Sequence, residues 1–136
     1  MSLPVLLIIG AAGNNGLATI KALSEQHSDE AIIRAGVRSE EKALALKTQF
    51  PAIETAILDL DKPETLKATF AGVTKLFMIP GNVENREQHA KNAIDAAVES
   101  GSVEHVLFYS VVGAEYEAIL FARQFRYGEK YLEASG

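Results

Sequence analysis

The stretch that most constrains this chain is Gly10-Ala11-Ala12-Gly13-Asn14-Asn15-Gly16. It follows directly on the apolar run Val5-Leu6-Leu7-Ile8-Ile9, and a segment with Leu17, Ile20 and Leu23 at helical spacing follows it. A buried strand, a glycine-rich turn and a helix in that order form the context of a dinucleotide-binding fingerprint. Glycines let the backbone turn sharply and approach a pyrophosphate, and the helix N-terminus offers unpaired N–H groups and a partial positive charge. Gly10, Ala12, Gly13, Asn14, Asn15 and Gly16 are therefore the candidate phosphate cradle. Asn14 and Asn15 either donate to phosphate or cap the helix. A glycine-rich turn of this kind also occurs as a plain connection, so the rest of the chain has to decide.

Beyond the turn, short apolar runs alternate with amphipathic segments, the pattern of βαβ units. Strands are expected at about Val5–Ile9, Ala31–Val37, Glu54–Leu58, Lys75–Ile79 and His105–Tyr109. The expected helices run over about Asn15–Gln26, Ser39–Gln49, Asp61–Phe70, Glu87–Ser100 and Glu117–Ala134. Ser39 before Glu40-Glu41 reads as a helix cap, as does Asp61 before Pro63. Pro80-Gly81-Asn82 reads as a turn. The first strand is apolar at every position, which suits a central strand covered on both faces. The fold class that follows is α/β, a three-layer doubly wound parallel sheet of the Rossmann type. Its five strands take the order 3-2-1-4-5, and ligands bind at the carboxyl edge between strands one and four.

The 136 residues make one domain, with 48% hydrophobic and 23% charged residues. A net charge of -5 argues against nucleic-acid and anionic-membrane surfaces. The absence of cysteine excludes disulfides, thiolate metal sites and a cysteine nucleophile. The apolar start is too short for a membrane span and lacks the basic residues of a signal peptide. Cytoplasmic location is the expectation, and no metal site is expected. Met1-Ser2-Leu3 is given no role.

Several segments together carry a resemblance to a known family. They are the GxxGxxG turn, Arg34-Ala35-Gly36-Val37-Arg38, Leu58-Asp59-Leu60-Asp61, Ile94-Asp95-Ala96-Ala97, the region from Val106 to Gly113-Ala114, and Glu129 to Gly136. In combination they resemble the NmrA-like family of atypical short-chain dehydrogenase/reductases over nearly the whole chain. The resemblance implies that residues 1–136 are an NAD(P)-binding Rossmann domain. It also implies a sixth strand and a substrate-covering region after the terminal Ser-Gly, so the domain is expected to be the N-terminal part of a longer protein.

Arg38 ends the second strand, where an NAD-binding protein would place a carboxylate for the ribose 2′-hydroxyl. An arginine there can pair with a 2′-phosphate instead, so NADP(H) is expected in preference to NAD(H). The bland reading is a solvated arginine paired with Glu40 or Glu41. Lys42 could assist, and Arg34 shares strand parity with Arg38. Asp59 and Leu60 flank the adenine by resemblance, though Asp59 by position alone reads equally as a polar loop residue. Met78, Ile79 and Pro80 end the fourth strand, where they either cover the ribose and nicotinamide or belong to the core. Ser110 matches a family position near the nicotinamide ribose. His89 reads as a solvent-facing helix residue, and His27 and His105 receive no role.

Catalytic short-chain dehydrogenases use Tyr-x-x-x-Lys after strand five, with the lysine lowering the tyrosine pKa. This chain has no such pair, and the register expected for it falls at Phe121 and Phe125. Tyr127 with Lys130 reads as a surface pair, and Arg123 and Arg126 offer charge without a transferable proton. The catalytic residues stay unassigned. Two functions remain open: an NADPH-dependent reductase of quinones or similar carbonyl compounds, or a non-catalytic redox sensor acting through a regulated protein partner. The phenylalanines favour the second, the resemblance accommodates both, and the reductase is the reading taken, with the sensor as its alternative. Oligomeric state is not readable.

Overall fold

The computed structural model describes residues 3–81, 83–116 and 119–136. The elements in order are β1 (Val5–Ile9), α1 (Asn14–Gln26), β2 (Ile32–Val37), α2 (Glu40–Gln49) and β3 (Glu54–Ile57). A 3-10 turn (Pro63–Thr65) then runs into α3 (Leu66–Phe70), followed by β4 (Lys75–Met78), α4 (Arg86–Ser100), β5 (His105–Phe108) and α5 (Leu120–Ala134). The sheet is parallel in every pairing, in the order β3-β2-β1-β4-β5. This is the Rossmann-type order expected from the alternating pattern. Glu117 and Ala118, the expected start of the last helix, lie outside the described residues, as does Asn82 of the expected turn.

Because side chains alternate across a strand, β1 feeds two cores at once. Leu7 and Ile9 point to one face, where Leu66, Phe70, Val73, Leu76, Met78, Ala93 and Ala97 close around them. Ile8 points to the other face, with Ile20 of α1, Ala43 and Leu46 of α2, and Ile33, Ala35 and Val37 of β2. The register brings Ile9 beside Gly36 of β2 and Met78 of β4, so three strands end together at the carboxyl edge.

Helix starts differ in how they are made. Ser39 caps α2 by accepting from the Lys42 N–H, with Glu40 and Glu41 in the first turn, as the sequence suggests. Asp61 does not cap the next segment. The cap position belongs to Lys62, and the turn is held by Asp59, whose carboxylate accepts from the Asp61 N–H at 2.9 Å. Thr65 Oγ1 accepts from the Asp59 N–H at 3.0 Å and completes the loop. The Asp61 carboxylate is thereby left to face α4.

The β5 edge is finished on one face only. Phe108 packs toward α5, its ring 6.4 Å from that of Phe125. On the opposite face Leu107 and Tyr109 remain exposed, together with Val112, Tyr116, Ile119, Leu120 and Phe121 in the segment that follows. Since Phe70 is 1% exposed at the centre of the α3/α4 core, Phe70→Ala should cost about 3–5 kcal/mol. Urea denaturation measures it; a loss below about 1 kcal/mol would mean that this core is not packed as described.

Candidate functional site

A cleft of about 460 Å³ opens at the carboxyl edge of the sheet, floored by the glycine-rich turn between β1 and α1. Two of its glycines answer to the protein's own packing. Gly10 has φ +88°, and a Cβ there would stand 2.8 Å from the Ile79 carbonyl oxygen. At Gly16 a Cβ would stand 2.2 Å from the Gly10 carbonyl oxygen and 2.6 Å from Ala11 Cα, so α1 rests directly on the turn. Gly13 is different. It is exposed, has an ordinary φ of -80°, and a Cβ there would meet no protein atom nearer than 3.6 Å.

Gly13 is also the cap residue of α1, and no side chain caps this helix. Asn14 and Asn15 are both exposed inside the first turn, so the alternative that they cap it does not hold. The Leu17 N–H is the first to find an intrahelical carbonyl, that of Gly13. Ahead of it the Gly13 N–H donates to the Gly10 carbonyl at 3.2 Å, while Asn14, Asn15 and Gly16 line the cleft in a first turn that holds no acidic residue.

Arg38, one residue past β2, lines the cleft and is exposed, with Lys42 nearby on α2. Among the described residues it forms no salt bridge with Glu40 or Glu41, and the carboxylate that feels its charge is Asp61. Arg34, of the same strand parity, serves another end of the molecule. Its guanidinium bonds Glu54 at 3.0 Å and the Thr69 and Ala71 carbonyls at 2.9 and 2.8 Å. Four strand residues span roughly 13 Å, which parity alone does not shorten.

Leu60, Ile79 and Pro80 join the wall of the cleft, with Leu58, Gly81 and Val83. Met78 does not reach it, being fully buried among Leu7, Ile9 and Leu76. Asp59 is also absent from the wall, its carboxylate held by the loop. Ser110 follows β5 at the same edge without lining the cleft, and its Oγ is sealed from solvent with no hydrogen-bond partner among the described residues.

Two arrangements in this region are not announced by the motifs. His89 is buried at 6% exposure rather than solvent-facing, and it lines the cleft. Its Nε2 lies 2.8 Å from Asp61 Oδ1, and Asn85 donates to the same carboxylate. The hydrogen bond from His89 is the main reason the Asp61 carboxyl is held below its ordinary value. Arg86, 4% exposed, lies with its guanidinium 4.8 and 4.7 Å from the rings of Phe121 and Phe125. It donates to the Gly81 carbonyl at 2.9 Å and to Gln124 Oε1 at 2.6 Å, while Gln124 donates to the Glu84 carbonyl at 2.9 Å. Burial pulls the Arg86 pKa below its ordinary value. This knot ties the β4–α4 loop, which walls the cleft, to α5.

The profile of the NmrA-like family matches residues 4–131. This chain belongs to that family. The NAD(P)H azoreductase of Xenophilus azovorans is 31% identical to this NmrA-like chain over 110 residues, 81% of this chain and 36% of the azoreductase. The triphenylmethane reductase of Citrobacter sp., solved in complex with NADP(H), aligns with a TM-score of 0.85 at 29% identity over 96% of this chain and 46% of that one. An NADPH-dependent quinone oxidoreductase from Escherichia coli, complexed with NADPH, gives 0.84 at 30% identity over 96% and 45%. The chain therefore spans about a third to a half of the length of the relatives it matches. No helix among the described residues is long and apolar enough to cross a membrane.

The contact of α1 on its own turn can be tested directly. Gly16→Ala drives a Cβ into backbone that cannot yield, and should cost about 3 kcal/mol, the upper end of the usual overpacking range. Thermal or urea unfolding checks it; an unchanged midpoint would remove Gly16 from the structural account.

Proposed function

We propose that this NmrA-like domain binds a nicotinamide dinucleotide across the cleft, NADP(H) in preference to NAD(H). We further read it as the N-terminal, cofactor-binding part of an NADPH-dependent reductase of quinones or similar carbonyl compounds. The observation that carries the reading is Gly13. The other two glycines of the turn are required by protein packing, whereas Gly13 leaves open space beside uncapped helix N–H groups, where a side chain would obstruct a phosphate. The donor set fits a pyrophosphate with no acidic neighbour in the first turn. Arg38 at the end of β2, free of Glu40 and Glu41, fits a 2′-phosphate.

In this reading Gly13, Asn14, Asn15 and Gly16 hold the pyrophosphate, with Gly10 and Ala12 shaping the turn beneath it. Arg38, assisted by Lys42, holds the 2′-phosphate. Leu60 borders the base, and Ile79 and Pro80 border the ribose and nicotinamide. Asp59 and Met78 act from behind the wall, as loop brace and core. Ser110, whose Oγ is sealed and lies off the cleft wall, stands behind the β5 end without touching the cofactor.

When bound, the cofactor supplies the hydride. The chain supplies position and charge but no phenol at the expected place. Phe125 is buried against Phe108, and Phe121 packs on it with ring centroids 4.9 Å apart. Proton delivery to the reduced acceptor is left to water or to the substrate's own groups. The exposed apolar surface from Leu107 to Phe121, and the fraction of the relatives that the chain spans, support a further region that completes the substrate pocket. The sensor alternative is the weaker one, because the relatives near 30% identity are named as reductases.

Arg38→Ala should weaken NADPH binding by about tenfold or more while leaving NADH binding within about twofold, since one charge-assisted contact exceeds roughly 1.4 kcal/mol. Fluorescence titration with both dinucleotides reads it, and equal losses would remove the 2′-phosphate assignment. Gly13→Ala should leave the unfolding midpoint nearly unchanged yet reduce affinity for both dinucleotides; unaltered affinity would take the pyrophosphate away from this turn. Turnover with quinone and azo acceptors distinguishes a reductase from a binding protein: tight NADPH binding with no oxidation on any acceptor contradicts the reductase.

A further inference from the structure

His89 is the one imidazole in the cleft wall, and its hydrogen-bonding state is set by its neighbour. Asp61 Oδ1 lies 2.8 Å from Nε2, and the Asp61 carboxyl is held below its ordinary value by that bond before any other lowering influence. An ionised carboxylate can only accept, so Nε2 carries the hydrogen. In the neutral ring the other nitrogen, Nδ1, is then a lone-pair acceptor. Nδ1 has no hydrogen-bond partner among the described residues. The side-chain polar atoms that are both sealed and partnerless belong to Ser24 and Ser110. Nδ1 is therefore not sealed, and His89 is part of the cleft wall.

The surroundings say what that acceptor would meet. Leu58, Leu60 and Val83 give the cleft wall apolar side chains, and His89 adds a polar ring to the same wall. That is the make-up of a slot for a planar heterocycle fixed by a single directional contact. Asp59, which the family resemblance puts beside the adenine, is absent from this wall, and its Oδ1 is already taken by the Asp61 N–H. That carboxylate keeps further lone pairs but does not line the cleft, whereas His89 of α4 does.

We infer that His89 reads the base of the bound dinucleotide. Its Nδ1, the acceptor of the neutral tautomer that Asp61 selects, takes a hydrogen from the exocyclic amino group of a 6-aminopurine and disfavours a 6-oxopurine, whose carbonyl would face the same lone pair. The inference rests on the dinucleotide reading above and adds the residue that sets base specificity. Asp61 acts through His89 as a positioning residue. A site that pairs with a substrate N–H discriminates against the analogue that lacks it, because the displaced water is not replaced.

The test compares NADPH with its hypoxanthine counterpart, in which O6 replaces the amino group, by fluorescence titration. The wild-type protein should bind the adenine form about tenfold more tightly, one hydrogen bond's worth of discrimination. His89→Phe keeps the planar bulk without the acceptor and should bring the two affinities together through loss on the adenine side. His89→Asn, whose amide oxygen can occupy the Nδ1 position, should restore part of the preference. Asp61→Ala, at an exposed position, removes the acceptor of the Nε2 hydrogen and should shrink the preference by releasing the ring. Equal binding of both dinucleotides by the wild-type protein overturns the inference, as does an undiminished preference in His89→Phe that has retained its circular dichroism. Binding of neither dinucleotide by the wild-type protein overturns the dinucleotide reading itself, and this inference with it.

Discussion

The contact that the rest of the site depends on is Gly16 against the carbonyl of Gly10. Where a Cβ would stand 2.2 Å from that oxygen, hydrogen alone fits, and the first turn of α1 can sit on the end of β1. That closeness does two things. It carries Ile20 down onto Ile8 and so seals one face of the central strand. It also aims the uncapped N–H groups of α1 across the carboxyl edge of the sheet, where Ile9, Gly36 and Met78 end side by side. The packing of the central strand and the placement of the cleft floor are thus set by one steric condition.

Around that fixed turn the cleft is built from elements of different character. The α1 and β2 side offers charge, namely the helix end, Arg38 and Lys42. The β3 and β4 side offers apolar wall, with Leu58, Leu60, Ile79 and Val83. The wall would be loose if the loop after β4 stood alone, since loops of this kind have few contacts of their own. Arg86 prevents that by bonding the Gly81 carbonyl and Gln124 while its guanidinium packs on two phenylalanine rings. The same rings occupy the helix register where the Tyr-x-x-x-Lys pair of catalytic short-chain dehydrogenases is expected. In this chain the α5 face that could have carried a proton donor carries an aromatic anchor for the cleft wall.

The alternation of apolar runs made the sheet order legible, because a strand buried on both faces and a helix with one apolar stripe leave few ways to pack. The strand-to-helix turn that floors the cleft was legible for the same reason. What escaped was long-range pairing. Asp61 reads locally as a cap before Pro63, yet Asp59 holds that turn and leaves Asp61 for a histidine 28 positions away. No local rule encodes that choice. His89 itself was within reach: with Ala93 and Ala97 it follows i, i+4, i+8, the spacing of the buried stripe of α4. Arg86 precedes Ala90 by four and extends the same stripe. Polar character masked both, since charged or titratable residues are rarely placed inside unless they are paired.

In the proposed complex the glycine turn and the α1 N-terminus hold the pyrophosphate of a nicotinamide dinucleotide at the carboxyl edge of the sheet. Amide chemical-shift mapping during NADPH titration tests it most directly. The account predicts that the largest shifts fall on the backbone N–H groups of Gly13, Asn14, Asn15 and Gly16, with Arg38 next. Shifts that spare this turn, or that gather at the opposite edge around Gly101 and Val103, would contradict it.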